Sequence, residues 1–135
     1  MNTKSARLLI LTAVFTGFNH AAPINEHTCS TAYTETEMYE CLKLQLKEAD
    51  NSLNKAYKTL MTRYKEERQL NQKVKTQGEY LREAQLAWIQ FRDKSCDFDT
   101  YESITGSAFG TIYTDCLLEK TQERVKYLEW YIENL

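Results

Sequence analysis

Between Met38 and Tyr64 the apolar residues return at intervals of three and four. Met38, Cys41, Leu42, Ala49, Leu53, Ala56, Tyr57, Leu60 and Tyr64, joined by Gln45, make one stripe. An α-helix turns once in about 3.6 residues, so this spacing places all of them on a single face. Thr34 and Glu37 have the capping-box spacing, which predicts a helix start near Thr34 or Thr36 and a run to about Lys65. The segment from Glu66 to Lys75 is polar, with Leu70 and Val74 at helical spacing, and reads either as a connection or as a continuation into the next helix. A second stripe follows, made of Gln77, Leu81, Ala84, Gln85, Trp88, Phe91, Arg92 and Cys96; Gly78 weakens its start by roughly 1 kcal/mol relative to alanine. Asp97 to Thr111 is irregular, punctuated by Gly106 and Gly110. A third helix is predicted on Ile112, Tyr113, Cys116, Leu117, Val125, Leu128 and Ile132, with Asp115 in its first turn, where the helix dipole favours an anion. Period-two alternation is nowhere sustained. The expected fold is all-α, a small disulfide-stapled antiparallel bundle of three main helices.

The first residues carry the three parts of a secretory leader. Lys4 and Arg7 open it, Leu8 to Phe18 is apolar, and Ala21-Ala22 offers small residues for cleavage. The apolar run is about half the roughly 20 residues that span a bilayer, so a cleaved leader over residues 1–22 is expected rather than an anchor. The remaining residues, 23–135, are expected to form one helical domain in the periplasm or outside the cell, with no stable membrane insertion. Loss of Lys4 and Arg7 moves the net charge from −2 to about −4. That balance argues against nucleic acid, which asks for a basic face, and is compatible with a basic protein partner.

All four cysteines, Cys29, Cys41, Cys96 and Cys116, fall after the leader, where an even count in a short exported chain implies two disulfides. Zinc is disfavoured because no pair has Cys-x-x-Cys spacing and His27 is the only histidine left after cleavage. Antiparallel helices would bring the four to one pole, where geometry permits more than one pairing. Cys29–Cys41 with Cys96–Cys116 is preferred, since each closes a short loop and needs no prior long-range docking. No cofactor or metal is called for.

The stretch from Ala84 to Cys96 holds the pattern Ala-Gln-x-x-Trp-x-x-Phe-Arg-Asp-x-x-Cys, answered by Cys116, Thr121 and Arg124 as Cys-x-x-x-x-Thr-x-x-Arg. This pattern resembles the LprI-like lysozyme-inhibitor family, which includes YecT-like secreted bacterial proteins, and the resemblance runs from about Cys29 to Leu128. It implies an exported binding protein that inhibits lysozyme or a similar cell-wall hydrolase. Within the pattern, Trp88 and Phe91 follow the helical stripe and are expected in the core. Arg92 and Asp93 lie beside it, and Arg92 is expected to pair with a carboxylate such as Glu83 or Asp50. Arg124 is given a similar structural part.

The best recognition candidate is the stretch from Thr105 to Tyr113, with Gly106, Ser107, Phe109, Gly110, Thr111 and Tyr113 as contact residues. It combines small hydroxyls and aromatics between cross-linked ends, and a preorganised loop loses less entropy on binding. The competing reading makes it a helix connector whose Phe109 folds onto the core and whose Gly110 serves the turn. Asp97, Asp99, Glu102 and Asp115 flank it and would steer a basic enzyme. Tyr127, Trp130 and Tyr131 form a second aromatic group, either a satellite core or an exposed patch. Catalysis finds no constellation. Ser107 directly follows Gly106, so the nucleophile-elbow spacing is missing, and His27 has no evident partner. The helical glutamates mix with lysines and arginines as a solvated face does. Two other roles remain open: neutralising a toxic envelope-acting effector or, in a different class, structural assembly in the envelope by oligomerisation through Tyr127, Trp130 and Tyr131.

Overall fold

The computed structural model describes residues 29–65 and 74–134. The expected leader, His27 and most of the segment from Glu66 to Lys75 lie outside the described residues. Helix α1 spans Glu35–Tyr64, α2 spans Gln77–Asp99 and α3 spans Phe109–Glu133; short 3₁₀ turns occur at Cys29–Thr31 and Tyr101–Ser103. The fold is all-helical, as the periodicity predicts.

Local chemistry sets the helix starts. At α1, the Thr34 hydroxyl accepts from the Glu37 amide at 3.2 Å, while Glu37 accepts from the Tyr33 and Thr34 amides at 2.9 and 3.0 Å. Thr76 and Glu79 repeat the device at α2, the Thr76 amide donating to Glu79 at 2.7 Å. That second box is why α2 begins ahead of Gly78 rather than after it. Gly78 is itself buried, and a β-carbon there would stand 3.4 Å from the Tyr64 β-carbon, so the helix backbones approach closely at this point.

Helices α1 and α3 run parallel and build the core together, while α2 runs antiparallel to both. Leu53, Ala56, Leu60 and Tyr64 of α1 pack with Val125 and Leu128 of α3; Leu42, Ala49 and Leu118 form a second cluster toward the N-terminal ends. Arg63 donates to the Ile132 carbonyl at 3.1 Å and ties the far ends of α1 and α3. From α2 only Gly78, Gln85 and Cys96 are buried.

Four expected positions are corrected. Phe91 is 64% exposed and Ala84 is also exposed, because the face of α2 that meets the bundle runs through Leu81, Gln85, Trp88, Arg92 and Cys96. Three residues beyond Trp88 is roughly 300° of rotation, which leaves Phe91 about 60° to the side. On α3 the buried stripe is Thr114, Leu118, Thr121, Val125 and Leu128, and Ile112 points out. The helix also begins three residues before Ile112, which moves Asp115 out of its first turn.

Candidate functional site

The Cys29–Cys41 and Cys96–Cys116 disulfides, with Cα separations of 5.9 and 5.8 Å, both lie at the pole where α1 and α3 begin and α2 ends. Cys96 is fully buried. Helix α2 continues past it to Asp99, so the irregular stretch is shorter than the pattern suggested and covers only Thr100 to Ala108. Thr100 closes α2 by donating its hydroxyl to the Cys96 carbonyl at 2.7 Å. A ladder of tight turns follows: Ser103 to Thr100 at 2.9 Å, Ile104 to Tyr101 at 3.2 Å, and Gly106 to Ser103 at 2.8 Å. Among the described residues no glycine has positive φ, so neither Gly106 nor Gly110 serves a left-handed turn.

The six candidate contact residues divide into two groups. Gly106 and Ser107 lie exposed in the connection. Phe109, Gly110, Thr111 and Tyr113 lie in the first turns of α3, are half-buried, and hold the pole together. Phe109 meets Tyr113 with ring centroids 5.6 Å apart. The bare Gly110 backbone admits the Tyr39 ring, whose edge would be 3.3 Å from an added β-carbon. Thr111 donates its hydroxyl to Glu35. Tyr113 donates to Asp97 at 3.2 Å, and Asp97 also takes Lys94 at 3.0 Å. Burial and then the Asp97 carboxylate raise the Tyr113 phenol above its ordinary value, while Lys94 holds Asp97 below its own.

The outward-facing apolar groups of the connection are Tyr101, 68% exposed, and Ile104, 52% exposed, neither of which belongs to the predicted contact residues. The readable signal was an apolar residue every third position, Phe98, Tyr101 and Ile104, among the acids Asp97, Asp99 and Glu102. Asp99 is bridged to Lys120 at 3.1 Å, whereas Glu102 and Asp115 are exposed. The pole thus presents a braced, apolar-tipped and acid-rimmed surface.

The pattern residues meet elsewhere, in a polar seam that joins α2 to the α1–α3 pair. Arg92 bonds Asp93 at 2.9 Å, Asp50 at 3.3 Å and the hydroxyl of Thr121 at 3.2 Å. Glu83 instead binds Lys75 at 2.6 Å. Thr121 is fully buried and donates its own hydroxyl to the Leu117 carbonyl at 2.7 Å. Arg124 donates to Gln85 at 3.0 Å and lies over the rings of Trp88 and Tyr127, 5.7 and 4.8 Å from their centroids. Its Nη2 is buried with no acceptor among the described residues, and burial pulls the guanidinium below its usual value. Trp88 is half-buried against the core with Arg92 also 5.4 Å from its ring centre. At the C-terminal end, Tyr131 joins the core while Tyr127 and Trp130 are more than half-exposed or close to it, at 50% and 57%. Among the described residues no three His, Cys, Asp or Glu side chains group to hold a metal, and no helix is long and apolar enough to cross a membrane.

The described residues thus form a small helical scaffold cross-linked twice at one pole. The family model for the lysozyme inhibitor LprI matches residues 26–128, and the chain belongs to that family. It is also 29% identical over 121 residues to an uncharacterised protein of Rhizobium meliloti (strain 1021), covering 84% of this chain and 87% of that protein. No solved structure matches it.

Proposed function

We propose that this protein is an exported inhibitor of a lysozyme or similar cell-wall hydrolase, acting by occluding the enzyme's cleft with the stapled connection between α2 and α3. The observation that carries the reading is membership of a lysozyme-inhibitor family. The braced pole supports it. Tyr101 and Ile104 supply apolar anchors, Gly106 and Ser107 supply close backbone approach and hydrogen bonding, and the nearby acids suit a basic target. Because the Cys96–Cys116 bond and the turn ladder order the connection in advance, little entropy is left to lose on docking. The leader-like start with Lys4, Arg7 and Leu8 to Phe18 and the two disulfides support an oxidising, extracytoplasmic location.

Peptidoglycan lysis by a basic lysozyme should slow when the oxidised protein is added, more at low than at high salt, because screening weakens steering between exposed charges. Replacing Tyr101 and Ile104 together by alanine should weaken inhibition by about tenfold or more with the helical spectrum intact. Absence of inhibition of any lysozyme at large molar excess would sink the reading. Inhibition that survives the double replacement would move the interface off the connection.

A further inference from the structure

Helix α2 turns a second apolar line to solvent. Tyr80, Ala84, Ala87, Phe91 and Phe98 are all exposed, the three rings at 54%, 64% and 81%. Their spacings of four, three, four and seven residues are those of a heptad seam, with Lys94 filling the one polar seam position. The seam lies about a quarter to a third of a turn from the face that meets α1 and α3, so using it would leave the bundle intact.

We propose that this seam docks antiparallel on the same seam of a second copy of the chain. Self-complementarity argues for that occupant and that direction. In antiparallel register Phe91 faces Ala87 of the second copy and Ala87 faces its Phe91, so each central layer sets a ring against a methyl and lets the helices approach. Tyr80 closes each end against the second copy's Phe98. Lys94 faces the second copy's Ala84, with its ammonium beside Glu83 of that copy. Both groups are solvent-accessible, at 83% for Lys94 and 46% for Glu83, and Glu83 would take Lys94 beside the Lys75 it already holds at 2.6 Å. Lys94 would then lie between its own Asp97 and the opposing Glu83, where a seam lysine fixes register. A parallel pairing would instead oppose Phe91 to Phe91 and Lys94 to Lys94. Two 23-residue helices bury less than a standard interface, so the association is expected in the micromolar range. The two stapled poles would project from opposite ends.

Sedimentation equilibrium of the oxidised protein should show the average mass rising from monomer toward dimer between about 5 and 500 µM. Phe91→Glu, at an exposed helical position, should weaken association by at least about tenfold with an unchanged helical spectrum. Lys94→Glu should also weaken it, and adding Glu83→Lys to that variant should restore it, which a generally sticky surface would not do. A monomer throughout the range, indifference to Phe91→Glu, or failure of the charge exchange to restore association would each overturn the proposal. Transfer of the effect to Trp130→Ala, with Phe91→Glu silent, would do so as well.

Discussion

Helices α1 and α3 hold to each other mainly by apolar burial, whereas α2, beyond the packing of Leu81 and Trp88, is held by directed links. Among the described residues, the nearly inaccessible Leu60, Leu128, Val125 and Thr121 belong to the α1–α3 pair, and α2 adds Cys96 to them. Helix α2 contributes a disulfide, the Arg92 and Arg124 bonds, and a half-buried Trp88 under two guanidinium groups. Apolar burial is spread over many contacts and tolerates small shifts. Directed links concentrate the attachment in a few atoms and leave the rest of the helix surface available. A helix attached this way can carry exposed aromatics on one flank and a presented turn at its end without dismantling the core.

The largest effect should come from the buried pair. Leu128→Ala should cost about 2–5 kcal/mol in urea unfolding, while Phe91→Ala, measured in dilute protein, should stay within about 0.5 kcal/mol. Equal losses would erase the distinction between the two regions. Next is the Cys96→Ser, Cys116→Ser double variant, which should lose about 3 kcal/mol in the chain-entropy model. Hydrogen exchange should then accelerate from Lys94 to Ala108 more than across α1; uniform acceleration would show that α2 is not separately tethered. Arg92→Ala should cost about 1–2 kcal/mol, since it leaves the buried Thr121 hydroxyl with one bond fewer. A loss confined to α2 protection would locate that link.

The smallest effect concerns acid. The Tyr33 and Thr34 amides hold Glu37 below its ordinary value of 4.5, and the Thr76 amide does the same for Glu79. A carboxyl whose folded value is depressed contributes fully above the ordinary value and loses that contribution as pH falls through the folded one. Melting temperature should therefore fall less between pH 6 and pH 3 in the Glu37→Gln, Glu79→Gln variant than in the parent. Fraying on acidification should be greater at Thr76 than at Thr34, because the Cys29–Cys41 disulfide ties the start of α1 and no disulfide ties the start of α2. An identical acid slope in parent and variant would remove the caps from the account.

Much of α1 was legible because one stripe served one purpose. Its capping box and apolar face agree from Thr34 to Lys65. Helix α2 was harder to read because two apolar lines share it, and Ala84 and Phe91 belong to the outer one although they stand beside the inner. The Thr76–Glu79 box is present in the residues, and its two caps outweigh the helix-weakening Gly78 that follows Thr76 by two positions. The start of α3 has no side-chain cap at Ala108, so nothing local marks it, and the pattern places the helix start at Ile112 with Phe109 to Thr111 still in the irregular stretch. That misplacement carried into the candidate site. Gly106 and Ser107 lie in the connection, but the aromatics expected to reach outward pack inward, and Tyr101 and Ile104 occupy the exposed positions.

Both covalent links follow the order of synthesis: first cysteine with second, third with fourth, 12 and 20 residues apart. A chain oxidised as it emerges therefore meets each correct partner before any wrong one. Cys41 finds Cys29 already behind it, and Cys96 finds no reduced thiol and waits for Cys116. No bond has to be broken to reach the final pattern, so the yield of native protein should depend on a supply of oxidant and not on an enzyme that reshuffles disulfides.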